Sequence, residues 1–129
     1  MGDRGEILIK DSVNDNGVYI YTHWYGSDCL AVLAKALDRG RDRWGDSSYL
    51  TRIIFCEFFI NENGSVNPKL ILDKTGFGIS DKPQDSEWDV PVVICEESKV
   101  YLSEKEYSFE EFIKKFTDYD RNSELNDKD

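Results

Sequence analysis

At 129 residues the chain has the length of one domain with a buried core of its own. Apolar residues make up 40% of it and aromatic residues 13%, a composition suited to a chain that folds alone. The formal net charge of −10 sets up a field that repels polyanions, so direct binding to nucleic acid is not expected.

In chain order, Glu6 to Lys10 (EILIK) predicts a short strand, and Asp11 to Gly17 is a loop rich in turn residues. Val18 to Trp24 (VYIYTHW) predicts a second strand from its β-branched and aromatic content. Val18, Ile20 and Thr22 share one face of it, and the two strands are expected to pair antiparallel. Gly26-Ser27-Asp28 then supplies a turn and a helix cap. Leu30, Leu33, Ala34 and Leu37 follow at helical spacing, with Gly40 closing the helix. A charged connector leads to a second helix capped by Asp46 or Ser47 and running through Tyr49, Leu50, Ile53, Ile54 and Phe58. Its end, IIFCEFFI, has the composition of a buried strand, so helix and strand both remain open for 53–60.

Short strands are expected at Leu70–Leu72, Phe77–Ser80, Val90–Cys95 and Lys99–Leu102, with Glu96-Glu97-Ser98 as a hairpin tip. Ser108 and Glu111 fit a capping box that opens a last helix with Phe109, Phe112, Ile113 and Phe116 on one face. Residues 118–129 lack an apolar period and read as a disordered acidic tail behind a single domain at 1–117. The order ββααβββ(β)α implies an α+β fold: an antiparallel sheet with two central helices and one C-terminal helix packed on it.

Three widely spaced cysteines, Cys29, Cys56 and Cys95, each adjoin apolar residues and read as small buried hydrophobes in a reducing compartment. One histidine and no CxxC pair give no zinc site, and no cofactor is expected. The start of the chain, Met1 to Glu6, has no apolar signal core, and no apolar run is of membrane length. The expected location is the cytoplasm, without membrane contact.

His23 lies at a strand end, where a general base could sit, and Cys29 six residues on invites a dyad reading. The competing reading is a histidine bonded to a loop and a packed cysteine. Thr75-Gly-Phe-Gly-Ile-Ser80 lacks the third glycine of a dinucleotide fingerprint, and its glycines fit a bulge or close packing against an aromatic. No catalytic residue is assigned.

Four of the six arginines, Arg39, Arg41, Arg43 and Arg52, fall within fourteen residues beside Trp44 and Tyr49. Arginine and tryptophan are enriched in binding hot spots, although Asp38, Asp42 and Asp46 can neutralise part of that charge.

Gly17 to Trp24, Arg43 to Ile53 and Thr75 to Ser80 together resemble a group of small uncharacterised proteins of prokaryotes and their viruses or prophages. That group has no known activity. The resemblance implies a microbial or viral setting, and it draws attention to His23, Trp24, Arg43, Trp44 and Arg52.

Residues 81–129 hold fifteen acids and seven bases, against eleven and nine in residues 1–80. The expected function is therefore a non-enzymatic protein-binding, inhibitor or adaptor domain with a basic protein partner. Its candidate binding residues are His23, Trp24, Arg41, Arg43, Trp44 and Arg52. Two alternatives stand beside it. One is a small-ligand binder or enzyme with a site at His23, Trp24 and the Arg39–Arg52 segment. The other is a nucleic-acid mimic built on the acidic C-terminal half.

Overall fold

The computed structural model describes residues 2–61, 63–73 and 75–121. The apolar run at the N-terminus forms strand β1 (Gly5–Lys10), and the β-branched and aromatic run after the loop forms β2 (Val18–Thr22). They pair antiparallel with Ile7 opposite Ile20. Four more strands, β3 (Phe77–Ser80), β4 (Val92–Ile94), β5 (Lys99–Leu102) and β6 (Lys105–Ser108), complete one sheet in the order β3-β2-β1-β4-β5-β6.

The fold is α+β, with one departure from the expected arrangement. The sheet is mixed, because β4 lies parallel to β1 with Leu8 opposite Val92. After β3 at one edge, residues 81–91 carry the chain past β2 and β1 before β4 begins. It therefore enters on the far side of β1 in the same direction.

Alternation along the strands divides the sheet into two unlike faces. Ile7, Ile9, Ile20, Val93 and Val100 join the buried cluster shared with the helices; the alternate positions Leu8, Tyr19, Val92 and Tyr101 do not. Helix α1 (Cys29–Arg39) lays Leu30, Leu33, Ala34 and Leu37 on that cluster, as its spacing predicts. Helix α2 (Ser47–Glu57) adds Leu50 and Ile54, so the ambiguous IIFCEFFI segment is helical through Glu57. Its strand-like composition serves a different end. Phe55, Phe58 and Phe59 gather around Phe77 with ring centroids 4.7–6.5 Å apart, and Tyr25 stacks on Phe77 at 5.6 Å. Helix α4 (Phe109–Phe116) opens with the expected capping box, in which Glu111 N–H donates to Ser108 Oγ and Ser108 N–H to Glu111 Oε1.

Two segments differ from expectation. Residues 70–72 belong to a helix, α3 (Pro68–Asp73), and not to a strand. Pro68 presets the first helical turn, and Asn67 Oδ1 accepts the Leu70 N–H at 3.2 Å. Strand β6 was not foreseen, since its turn lacks glycine and asparagine. Ser103 itself adopts φ 56° there, a conformation more usual for glycine.

The N-terminal segment closes the lower end of the fold. Gly5 and Gly26 pack back to back: a Cβ on Gly5 would meet Gly26 Cα at 2.6 Å, and one on Gly26 would meet Arg4 C at 2.6 Å. The Asp3 carboxylate accepts from Ser27 N–H and Oγ, and from Trp88 Nε1 at 2.7 Å. Glu6, although 2% exposed, accepts the Gln84 N–H at 2.6 Å.

Residues 122–129 of the expected tail lie outside the described residues. Of the four before them, Tyr119 packs on Phe116 at 5.0 Å, and Arg121 is buried. The Arg121 guanidinium donates to the Asp89 carbonyl and lies over the Trp88 ring at 5.2 Å. Ordered chain thus runs past Thr117. No helix among the described residues is long and apolar enough to cross a membrane.

These contacts are worth measuring directly. A chain ended after Thr117 is expected to be at least about 2 kcal/mol less stable than one ended after Arg121, or roughly 6–10 °C for a domain of this size. Thermal melts of the two truncations check this, and equal melting temperatures would remove Tyr119 and Arg121 from the stabilising set.

Candidate functional site

His23 follows β2 and is held there by its backbone: its N–H donates to Gly76 O and its carbonyl accepts from Asp3 N, both at 2.8 Å. Its Nδ1 is 3.1 Å from Tyr21 Oη, and its ring stands edge-on to Trp24 at 4.3 Å. Trp24 is 53% exposed and lies against Gly76, where an added Cβ would come within 2.7 Å of the indole. Gly76 thus serves close packing against an aromatic, while a Cβ on Gly78 would point into open space.

Cys29 is fully buried and donates its thiol to Tyr25 O at 3.6 Å. Burial pushes its pKa up to about 12, the opposite of what a nucleophilic thiolate requires. Burial likewise raises Cys95, to about 11. Among the described residues no three His, Cys, Asp or Glu side chains are grouped to hold a metal ion.

The arginine connector is largely engaged within the molecule. Arg41 Nε donates to Asp38 at 2.8 Å, its Nη1 pairs with Glu110 on α4, and its guanidinium lies 5.2 Å from the Trp44 ring. Arg43 stacks on Tyr49 at 4.2 Å and is 3.8 Å from Asp46. Arg52 is exposed on α2. Trp44 is an anchor between helices: Nε1 donates to Leu37 O on α1 at 2.8 Å, and its ring meets Phe109 of α4 edge-on at 5.1 Å. His23 and Trp24 precede α1 while the connector follows it. The eleven residues of that helix, about 16 Å at its usual rise, run between the two groups. Among the described residues no hydrogen bond or ring contact joins them into one site.

Two other features of the surface emerge from the topology. The first is the sheet face turned away from the helices. Pairing places Ser80, Tyr19, Leu8, Val92, Tyr101 and Glu106 in one row across all six strands. Tyr19, Val92 and Tyr101 are partly exposed, and the segment bonded to Glu6 crosses below them. Sequence alternation separates Tyr19 from the face of Val18, Ile20 and Thr22, but the row itself depends on the β1–β4 pairing. The second feature is a groove of about 680 Å³ on the outer side of α1, lined in part by Val32, Lys35, Arg39, Glu57 and Phe58.

Among the described residues, six carboxylates of the acidic half, besides Glu111 of the capping box, are bound internally. Asp85 and Glu87 hold Arg4, Glu97 accepts from Tyr101, Asp89 from Ser103, Glu106 from Lys99 and Glu110 from Arg41.

Comparison with models of known protein families, with curated proteins and with solved structures finds no match.

The roles of Trp44 and Arg43 separate in one experiment. Trp44→Ala is expected to cost about 3–5 kcal/mol in chemical denaturation, because it empties the junction of α1 and α4. Arg43→Ala, on an exposed side chain, should cost less than about 0.5 kcal/mol. A near-neutral Trp44→Ala would show that the indole does not anchor the helices.

Proposed function

We propose that the chain is a non-enzymatic protein-binding domain, an inhibitor or adaptor, that docks through Tyr19, Val92 and Tyr101 on the sheet face turned away from the helices. The observation that supports this reading is the row Tyr19–Leu8–Val92–Tyr101, which crosses four neighbouring strands on the side away from the helices, with Tyr19, Val92 and Tyr101 partly exposed around a buried Leu8. Tyrosines on a rigid sheet lose little entropy on contact and are frequent anchors at interface centres. Lys10 and Lys99 on one side, and Glu97 and Glu106 near Tyr101, supply the charged rim such an interface uses. The net charge of −10 favours a basic partner by steering its approach. We place the domain in the cytoplasm of a microbial or virus-infected cell, on the sequence resemblance and on the apolar setting of its cysteines.

The earlier candidate residues take a smaller part in this reading. Arg41 and Trp44 are hydrogen-bonded inside the molecule, and Arg43 lies on Tyr49 beside Asp46 with half of its side chain exposed. His23, Trp24 and Arg52 remain partly or fully exposed on other parts of the surface.

A photo-crosslinking residue placed at Tyr19 or Tyr101 should capture the same protein in cells, and one placed at Lys114 on the helix side should not. With that partner in hand, replacing Tyr19 and Tyr101 together by Ser should weaken binding at least about tenfold while the melting temperature shifts little. Capture from Lys114 alone, or undiminished affinity in the double variant, would contradict the proposal.

A further inference from the structure

The groove on the outer side of α1 lies on the helix side of the molecule, away from the sheet face just described. Its chemistry differs along its length. Val32 of α1, Phe58 after α2 and Leu70 of α3 line an apolar stretch, Asp28 lies at one end, and Lys35 and Arg39 lie towards the other together with Asp38 and Glu57. Lys35 and Arg39 are four residues apart on α1 and so share one side of the helix.

The cationic end is organised by a buried group. Glu57, the last residue of α2, is 6% exposed and accepts from Arg39 Nε at 2.8 Å. Burying a carboxylate is costly, and an apolar residue at this place would serve packing at least as well. What Glu57 does achieve is to hold Arg39 by a single nitrogen. The Arg39 side chain remains 55% exposed along the groove, and its two terminal nitrogens make no hydrogen bond among the described residues. Lys35 is exposed and makes no salt bridge among the described residues, and the nearby Asp38 is occupied by Arg41. A guanidinium fixed through Nε presents its remaining fork to a planar anion, with an ammonium beside it.

We infer that this groove binds a small organic monocarboxylate, with its carboxylate on the Arg39 fork and Lys35 and its apolar body along Val32, Phe58 and Leu70. The cavity volume of about 680 Å³ suits a ligand of that size. Asp28 at the opposite end sets the polarity, because it repels a second anionic group and so disfavours dicarboxylates.

The test is a titration of the isolated protein with octanoate, octylamine and suberate, followed by backbone amide chemical shifts. Octanoate should saturate below roughly 10 mM, with its shifts centred on residues 32–39 and 57–58. Suberate should bind at least about fivefold more weakly, and octylamine should leave the amides of residues 35–39, around the guanidinium, unmoved. Lys35→Gln, a surface change, and the paired variant Arg39→Gln with Glu57→Gln should each weaken octanoate at least about fivefold. The paired variant avoids stranding Glu57 without its cation. Equal response to octanoate and octylamine, shifts centred elsewhere, a failure to saturate in this range, or undiminished binding in both variants would overturn the assignment.

Discussion

Strand β1 is paired to β2 along one edge and to β4 along the other, and it is buried on both faces for most of its length. A strand in that position must have every polar group satisfied and both neighbours delivered to it. Delivering β4 requires the chain to pass below β2 and β1 after β3, and the residues just before and within β1 secure that passage. Arg4 binds Asp85 and Glu87 by its side chain and accepts the Glu87 N–H at its carbonyl. Glu6 takes the Gln84 N–H, and Asp3 takes Trp88 Nε1. Burial pushes the Glu6 carboxyl above its ordinary pKa, an effect the Gln84 hydrogen bond only partly offsets. Burial also acts on Asp3, but hydrogen bonds from Ser27 and Trp88 outweigh it and leave that carboxyl below its ordinary value. The short polar N-terminus is therefore the clasp that fixes sheet order, and Arg121 reinforces it from the other end of the chain by covering Trp88.

Much of this architecture could be read from local sequence patterns. The stripe of α1, the capping box at Ser108 and Glu111, and the alternation in β2 are properties of a few neighbouring residues, and each leads to the observed element. What escaped depended on partners distant in sequence. Parallel pairing of β1 with β4 leaves no mark within EILIK or VVI, both of which suit either direction. The apolar triplet Leu70-Ile71-Leu72 reads as a strand, yet Pro68 opens a helix there and Ile71 and Leu72 are exposed. IIFCEFFI was ambiguous because its phenylalanines serve a tertiary cluster around Phe77 and do not report the local period.

The same distinction governs the surface. A sequence cluster of arginines and a tryptophan drew attention to residues 39–52, yet folding directs Trp44 inward and gives Arg41 two acidic partners. The row of Tyr19, Leu8, Val92 and Tyr101 is assembled from four strands of the chain. Neither it nor the groove held by Glu57 and Arg39 is contiguous in sequence. With the helices on one face of the sheet, Tyr19, Val92 and Tyr101 stay partly exposed on the other, where Gln84 of the crossing segment bonds to Glu6.

Hydrogen exchange resolved to single amides tests the clasp most directly. The Leu8 N–H bonds to Pro91 O at 3.0 Å, the Glu87 N–H to Arg4 O at 2.9 Å and the Cys95 N–H to Lys10 O at 2.9 Å. If β1 and the crossing segment close as one unit, these three amides exchange as slowly as those between β1 and β2, with a common dependence on denaturant. Exchange at Leu8 and Glu87 that is orders of magnitude faster than in the β1–β2 pair would mean that the crossing segment opens independently, and would contradict the clasp as the basis of the fold.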